Sequence, residues 1–155
     1  MTDATPPLDD PLLTTFGRLA EAYQRVERAL AAALEEHCGI PHSWFEVLLR
    51  LHRSPGGRLT MGDLAGEVAL TTGGVTRLLD RMIDAGYVRR IPCGTDRRVW
   101  YAAITGPGRR RLRAAAEVHA ANLRTVFGDF SQADTARFER LLDRLRTPAG
   151  TGGGG

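Results

Sequence analysis

The sequence predicts a mainly α-helical protein with one small β-hairpin, and three observations carry that expectation. Apolar residues recur mostly at helical spacing. Only two short runs, YVRRI and VWYAAIT, are rich in β-branched and aromatic residues, and the periodic stretches are bounded by residues that start or stop helices. With 155 residues, 43% of them hydrophobic and 25% charged, the chain is long enough to close one core without help from metal or disulfides.

From Leu12 the positions Leu12, Phe16, Leu19, Tyr23, Val26, Leu30 and Ala33 alternate spacings of four and three, the seam of a helix packed along another helix over about residues 9–36. Periodicity leaves open whether the partner lies in the same chain or in a second copy. Gly39 stops that helix. Pro41 suits the first turn of the next, over about 41–53, which carries Trp44, Phe45, Leu48, Leu49 and Leu51. SPGG, Ser54 to Gly57, is a turn by composition.

In RLTMGDLAGEVAL, Thr60 and Asp63 have capping-box spacing, and Leu64, Ala65 and Val68 give a short third helix one apolar side. A fourth helix begins near Thr72, with Val75, Leu78, Leu79 and Met82 on one face and Gly73, Arg77, Asp80 and Asp84 on the other, and stops at Gly86. Two apolar-faced helices separated by three or four residues read as a helix-turn-helix whose second member protrudes. YVRRI and VWYAAIT then form a hairpin around the turn PCGTDRR. Thr105 caps a fifth helix that has Pro107 in its first turn, runs to about Phe127 and breaks at Gly128. Ser131 with Asp134 opens a sixth, bearing Phe138, Leu141, Leu142 and Leu145 and ended by Pro148. Residues 1–8 and the Gly-rich tail 148–155 are expected to be disordered.

Charge is unevenly spread along this plan. Residues 1–70 carry six arginines against ten acidic residues, 71–113 carry ten arginines against three aspartates, and 114–155 carry five of each sign. The basic surplus therefore belongs to the fourth helix, the hairpin and the start of the fifth helix. Every basic residue is arginine, the better fork for phosphate and guanine.

A helix that enters a DNA major groove needs small or hydrogen-bonding residues at its N-terminal end, and a forked donor one turn on. Thr71, Thr72, Gly73, Gly74, Thr76 and Arg77 meet that need, with Arg81 a further turn along. Arginines on a neighbouring hairpin reach the adjacent minor groove, where negative potential is focused. Asp96 in the turn is expected to orient a nearby arginine through a charge-assisted hydrogen bond.

The stretch RLTMGDLAGEVALTTGGVTRLLDRMIDAGYVRRIPCGTDRRVWYAAITGPG resembles the winged helix-turn-helix of the MarR family of bacterial transcription regulators, with the pattern VTRLLDRM, GYVRR, DRR and IT followed by G. The likeness extends over about Leu12 to Leu145. It implies a homodimer on a pseudo-palindromic DNA operator, acting most often as a repressor. In that arrangement 41–105 form the winged DNA-binding domain, and 9–40 with 106–147 form a helical dimerisation region. It implies dimer contacts at Leu12, Phe16, Leu19, Phe127, Phe138, Leu141, Leu142 and Leu145. It places Asp96 and Arg98 in the wing motif, Arg98 as the minor-groove arginine and Arg97 as its neighbour. Gly73-Gly74 departs from the family pattern, where many members carry serine or another polar side chain, and shifts the burden of readout to Thr72, Thr76, Arg77 and DNA shape.

The resemblance also implies release by a small aromatic or anionic effector where the dimerisation helices meet the winged lobe. By that analogy Tyr23, His42 and Trp44 line the cleft, although Tyr23 and Trp44 read first as core residues. Redox or metal response through Cys93, or through His37, Cys38 and His42, is a weaker alternative, and two distant thiols form no disulfide framework. A winged-helix protein–protein adapter is the rival from another class. No nucleophile-and-base pair, phosphate loop or nucleotide fingerprint is present, so no catalytic residue, metal or cofactor is expected. The N-terminal MTDATPPLDD has neither the basic start nor the apolar run of a secretion signal, and no apolar stretch approaches the about 18 residues of a membrane span, so the expected location is cytoplasmic.

Overall fold

The computed structural model describes residues 8–68 and 72–147, with the Thr72 side chain excluded. The expectations for residues 1–7, for Thr71 and for the tail from Pro148 onward lie outside the described residues. The chain runs α1 (Pro11–Cys38), α2 (His42–Arg53), a 3-10 turn (Pro55–Gly57), β1 (Arg58–Thr60), α3 (Met61–Glu67) and α4 (Thr72–Asp84). It continues through β2 (Val88–Pro92), β3 (Trp100–Ile104), α5 (Gly106–Val126) and α6 (Gln132–Arg146).

Helix boundaries follow local chemistry. Asp10 caps α1 by accepting the Leu12 N–H at 2.8 Å, and Pro11 occupies the first turn, where a missing N–H costs nothing. Gly39 closes the helix in the left-handed region at φ 63°. Thr60 caps α3 through the Asp63 N–H, and Ser131 with Asp134 makes a full reciprocal capping box on α6. At the end of α4 the Gly86 N–H bonds to Ile83 and the Tyr87 N–H to Met82, a Schellman closure that requires the positive φ of Gly86.

β2 and β3 pair antiparallel, Val88 opposite Ile104 and Pro92 opposite Trp100, as the hairpin pattern predicts. One strand was not anticipated: Arg58–Thr60, read from sequence as the approach to a helix, adds an edge to the sheet in the order β1-β3-β2. Three residues carry too little alternation to announce a strand. Pairing with β3 makes it one, and the cation of Arg58 over the Tyr101 ring at 4.9 Å reinforces the contact.

The core lies in the winged lobe. Phe45, Val47, Leu48 and Leu51 of α2 meet Leu64 of α3, the stripe Val75, Leu78, Leu79 and Met82 of α4, Val88, Ala102 and Ile104 of the sheet, and Leu112 and Ala115 of α5. From α1 only the C-terminal part joins it, through Leu34 and Cys38. Earlier seam residues of α1 stay outside: Leu12 is 71% exposed, Phe16 71% and Tyr23 68%. The expectation that Tyr23 is a core residue is therefore corrected, because the first half of α1 runs beyond the lobe. α6 contributes no buried residue.

Candidate nucleic-acid interface

The apolar stripe of α4 is fully engaged with the lobe, so the helix presents its other face outward. Arg77 and Arg81 stand exposed on α4, and among the described residues neither has a carboxylate within ion-pair distance. Asp80, on the same helix, is bound by Arg90 of β2. That pair engages the acid three residues on from Arg77 and ties the helix to the hairpin. Gly73 has open space where a side chain would begin, so the backbone at the N-terminal end of α4 is accessible. Thr72 is the first residue of α4, and Gly74 and Thr76 are half-buried.

The hairpin turn is built by its own backbone. The Cys93 N–H bonds to the Val99 carbonyl at 2.9 Å and the Val99 N–H to the Asp96 carbonyl at 3.1 Å. In place of the side-chain hydrogen bond expected from Asp96 to an arginine, its Oδ1 accepts the Arg98 backbone N–H at 2.9 Å and lies 3.7 Å from Nε. The Arg98 side chain remains 94% exposed, and Arg97 beside it is exposed as well. The carboxylate thus fixes the Arg98 backbone within the turn and leaves its guanidinium in solvent.

Cys93 lies at the base of this turn with Sγ 3.3 Å from Thr95 Oγ1. Hydrogen bonds from the Thr95 side chain and from the backbone of Thr95 and Asp96 stabilise its thiolate and bring its pKa down to about 7. Cys38 is buried, and both thiols are free.

The residues considered for an effector are separated in role. Tyr23 lines an apolar hollow of about 500 Å³ with Leu19 and Val26 of α1, Phe127 and Phe130 at the end of α5, and Phe138 and Leu142 of α6. Trp44 packs edge-on against Tyr87, with ring centroids 6.0 Å apart. His42 pairs with Glu27 at 3.5 Å and stacks on His119, whose ring also meets Phe45 at 4.6 Å. His119 carried no signal in the sequence. Burial, then the neighbouring His42, holds its pKa below the usual histidine value. Among the described residues no group of three His, Cys, Asp or Glu side chains is placed to hold a metal ion, and the Cys38 carbonyl accepts from Arg111.

Among the described residues no helix is long and apolar enough to cross a membrane. Residues 38–99, the span from the end of α1 through the hairpin turn, match the model of the MarR family. Over 141 residues the chain is 25% identical to the HTH-type transcriptional regulator PecS of Dickeya dadantii, covering 90% of this chain and 84% of that protein. Its fold superposes on that of AbsC, a MarR family transcriptional regulator from Streptomyces coelicolor, with a TM-score of 0.82 and 27% identity over 92% of this chain and 96% of AbsC. Sco3205, a MarR family regulator from the same organism solved in complex with DNA, gives a TM-score of 0.83 and 25% identity over 94% and 91%. The winged lobe and the long helices on either side of it are thus shared with MarR family regulators across nearly the whole chain, and the protein is similar to that family of transcription regulators in sequence and in fold.

Proposed function

We propose that the protein is a homodimeric repressor that binds a pseudo-palindromic operator, inserting α4 into successive major grooves and the β2–β3 turn into the flanking minor grooves. The observation that carries this reading is that exposed Arg77 and Arg81 on α4, which among the described residues have no carboxylate within ion-pair distance, share with the exposed Arg98 of the turn the segment that holds the chain's basic surplus. That Sco3205, which shares the fold, was solved in complex with DNA supports a DNA partner, and the relatives found are regulators rather than enzymes.

Dimerisation is supported by the apolar side chains that the single chain leaves in water. Leu12, Phe16, Tyr23, Leu141 and Leu145 are all exposed, and such a surface marks an association site. Residues 9–40 and 106–147 supply this arm, and 41–105 supply the DNA-binding lobe. Release by a small aromatic or anionic effector completes the proposal and rests on the family resemblance. It is tested by titrating aromatic acids into a preformed complex.

Selection of bound fragments from a genomic library, followed by footprinting, tests the operator. Two protected half-sites one helical turn apart are expected. Arg98→Ala should weaken binding by about tenfold with the fold intact, and Arg77→Ala should also relax base preference at one position of each half-site. A protein that ignores duplex DNA even at low salt is instead a protein–protein adapter.

A further inference from the structure

One side chain that the proposed function leaves unused bridges the helical arm and the DNA-binding lobe with hydrogen bonds to both. Arg111 of α5 donates Nη1 to the Cys38 carbonyl at 2.8 Å and Nε to the Tyr87 hydroxyl at 3.1 Å. Cys38 is the last residue of α1, so its carbonyl belongs to the group that an α-helix leaves without an internal partner, at the negative end of the helix dipole. A guanidinium is the matching donor, and two nitrogens of one planar fork fix a direction as well as a distance.

The other end of the fork is equally well held. Tyr87 follows the Gly86 cap of α4, and its N–H closes that helix on the Met82 carbonyl at 3.0 Å. Its carbonyl accepts the Thr105 N–H at 3.1 Å, and Thr105 Oγ1 donates to the Gly86 carbonyl at 2.6 Å. Trp44 braces the ring edge-on. At Gly108, one turn before Arg111, any side chain would collide with the Tyr87 carbonyl oxygen, so the start of α5 lies directly on this turn.

We infer that Arg111 is a positioning residue: by locking the end of α1 to Tyr87 it sets the angle of α4 relative to the helical arm, and thereby the half-site spacing that the dimer accepts. The inference rests on the dimeric DNA-binding function proposed above. Leverage makes the joint sensitive. A helix of the length of α4 spans about 20 Å, so a tilt of about 10° at Tyr87 moves its DNA-facing tip by about 3.5 Å, close to the about 3.4 Å rise of one base pair.

The test uses the full-length protein, the variants Arg111→Gln and Tyr87→Phe, and three duplexes: the selected operator, and the same operator with one central base pair inserted or removed. Each change shifts a half-site by about 3.4 Å and turns it by about 34°. The wild type should lose about tenfold or more in affinity on the altered duplexes. Both variants should compress that discrimination to below about threefold while keeping the salt dependence of the wild type. Tyr87→Phe retains the ring against Trp44 and removes only the hydroxyl, which keeps the test valid if Arg111→Gln folds poorly. A second readout needs no DNA: a nitroxide on Cys93 of each wing should give a narrow inter-wing distance distribution in the wild-type dimer and a broader one in the variants. Unchanged discrimination and unchanged width in folded Tyr87→Phe overturn the inference and leave DNA binding standing. A wild type that binds no selected duplex, or shows no inter-wing distance, overturns both.

Discussion

The winged lobe and the outer helical arm use the same kinds of apolar residue to opposite ends. In the lobe, Val47, Leu48, Leu51, Leu64 and Leu79 are sealed from water by their own chain, whereas Leu12, Phe16, Tyr23 and Leu145 of the arm are left about 70% exposed. Within α1 the change occurs along one continuous helix, from exposed Leu12 and Phe16 to buried Leu34 and Cys38. The seam is uniform in sequence but not in environment. The lobe closes its core within one chain, and the arm is completed by a second copy in the dimer we propose.

That contrast breaks most visibly in the lobe. Leu79→Ala leaves a cavity in the lobe core and should cost about 3 kcal/mol of folding stability, read from denaturant unfolding with the slope unchanged. In the arm, Phe16→Asp should raise the dimer dissociation constant by about a hundredfold, since a symmetric interface loses the ring's burial twice. Sedimentation would show this, while lobe stability should change by less than about 0.5 kcal/mol. A Phe16→Asp protein that stays dimeric would place the interface elsewhere.

A smaller effect should arise where arm and lobe meet, at the His42–His119 stack. Because burial and His42 hold the His119 pKa below 6.5, the unfolded chain binds a proton there at higher pH than the folded one. The contribution to stability is complete above about pH 6.5 and is lost as pH falls toward the folded pKa. The melting temperature of the wild type should therefore drop more between pH 7 and pH 5 than that of His119→Phe. Equal drops would remove His119 from the joint. The mildest perturbation is covalent: Cys93 should alkylate before buried Cys38, with a rate that rises through about pH 7 and no loss of fold.

Much of this architecture was legible in the residues because it is local. Val75, Leu78, Leu79 and Met82 fall on one helical stripe and all four are buried; Ser131 and Asp134 form the expected capping box; Asp96 and Arg98, two residues apart, meet through the Arg98 backbone N–H rather than the expected side-chain hydrogen bond. What escaped depends on residues distant in the chain. β1 is a strand only because β3 pairs with it, the Arg111 fork reaches 73 residues back to Cys38, and His119 acquires its environment from α2. Periodicity reports which face of an element is apolar and is silent about which element that face meets.

The central claim, that exposed arginines on α4 and on the β2–β3 turn bind a duplex, is tested most directly by the salt dependence of operator affinity. Plotted as log K against log salt concentration, the wild type should give a steep negative slope of several units, and Arg98→Ala should reduce its magnitude by about one while leaving the fold intact. A flat line, or an Arg98→Ala line that superposes on the wild type, would contradict the claim.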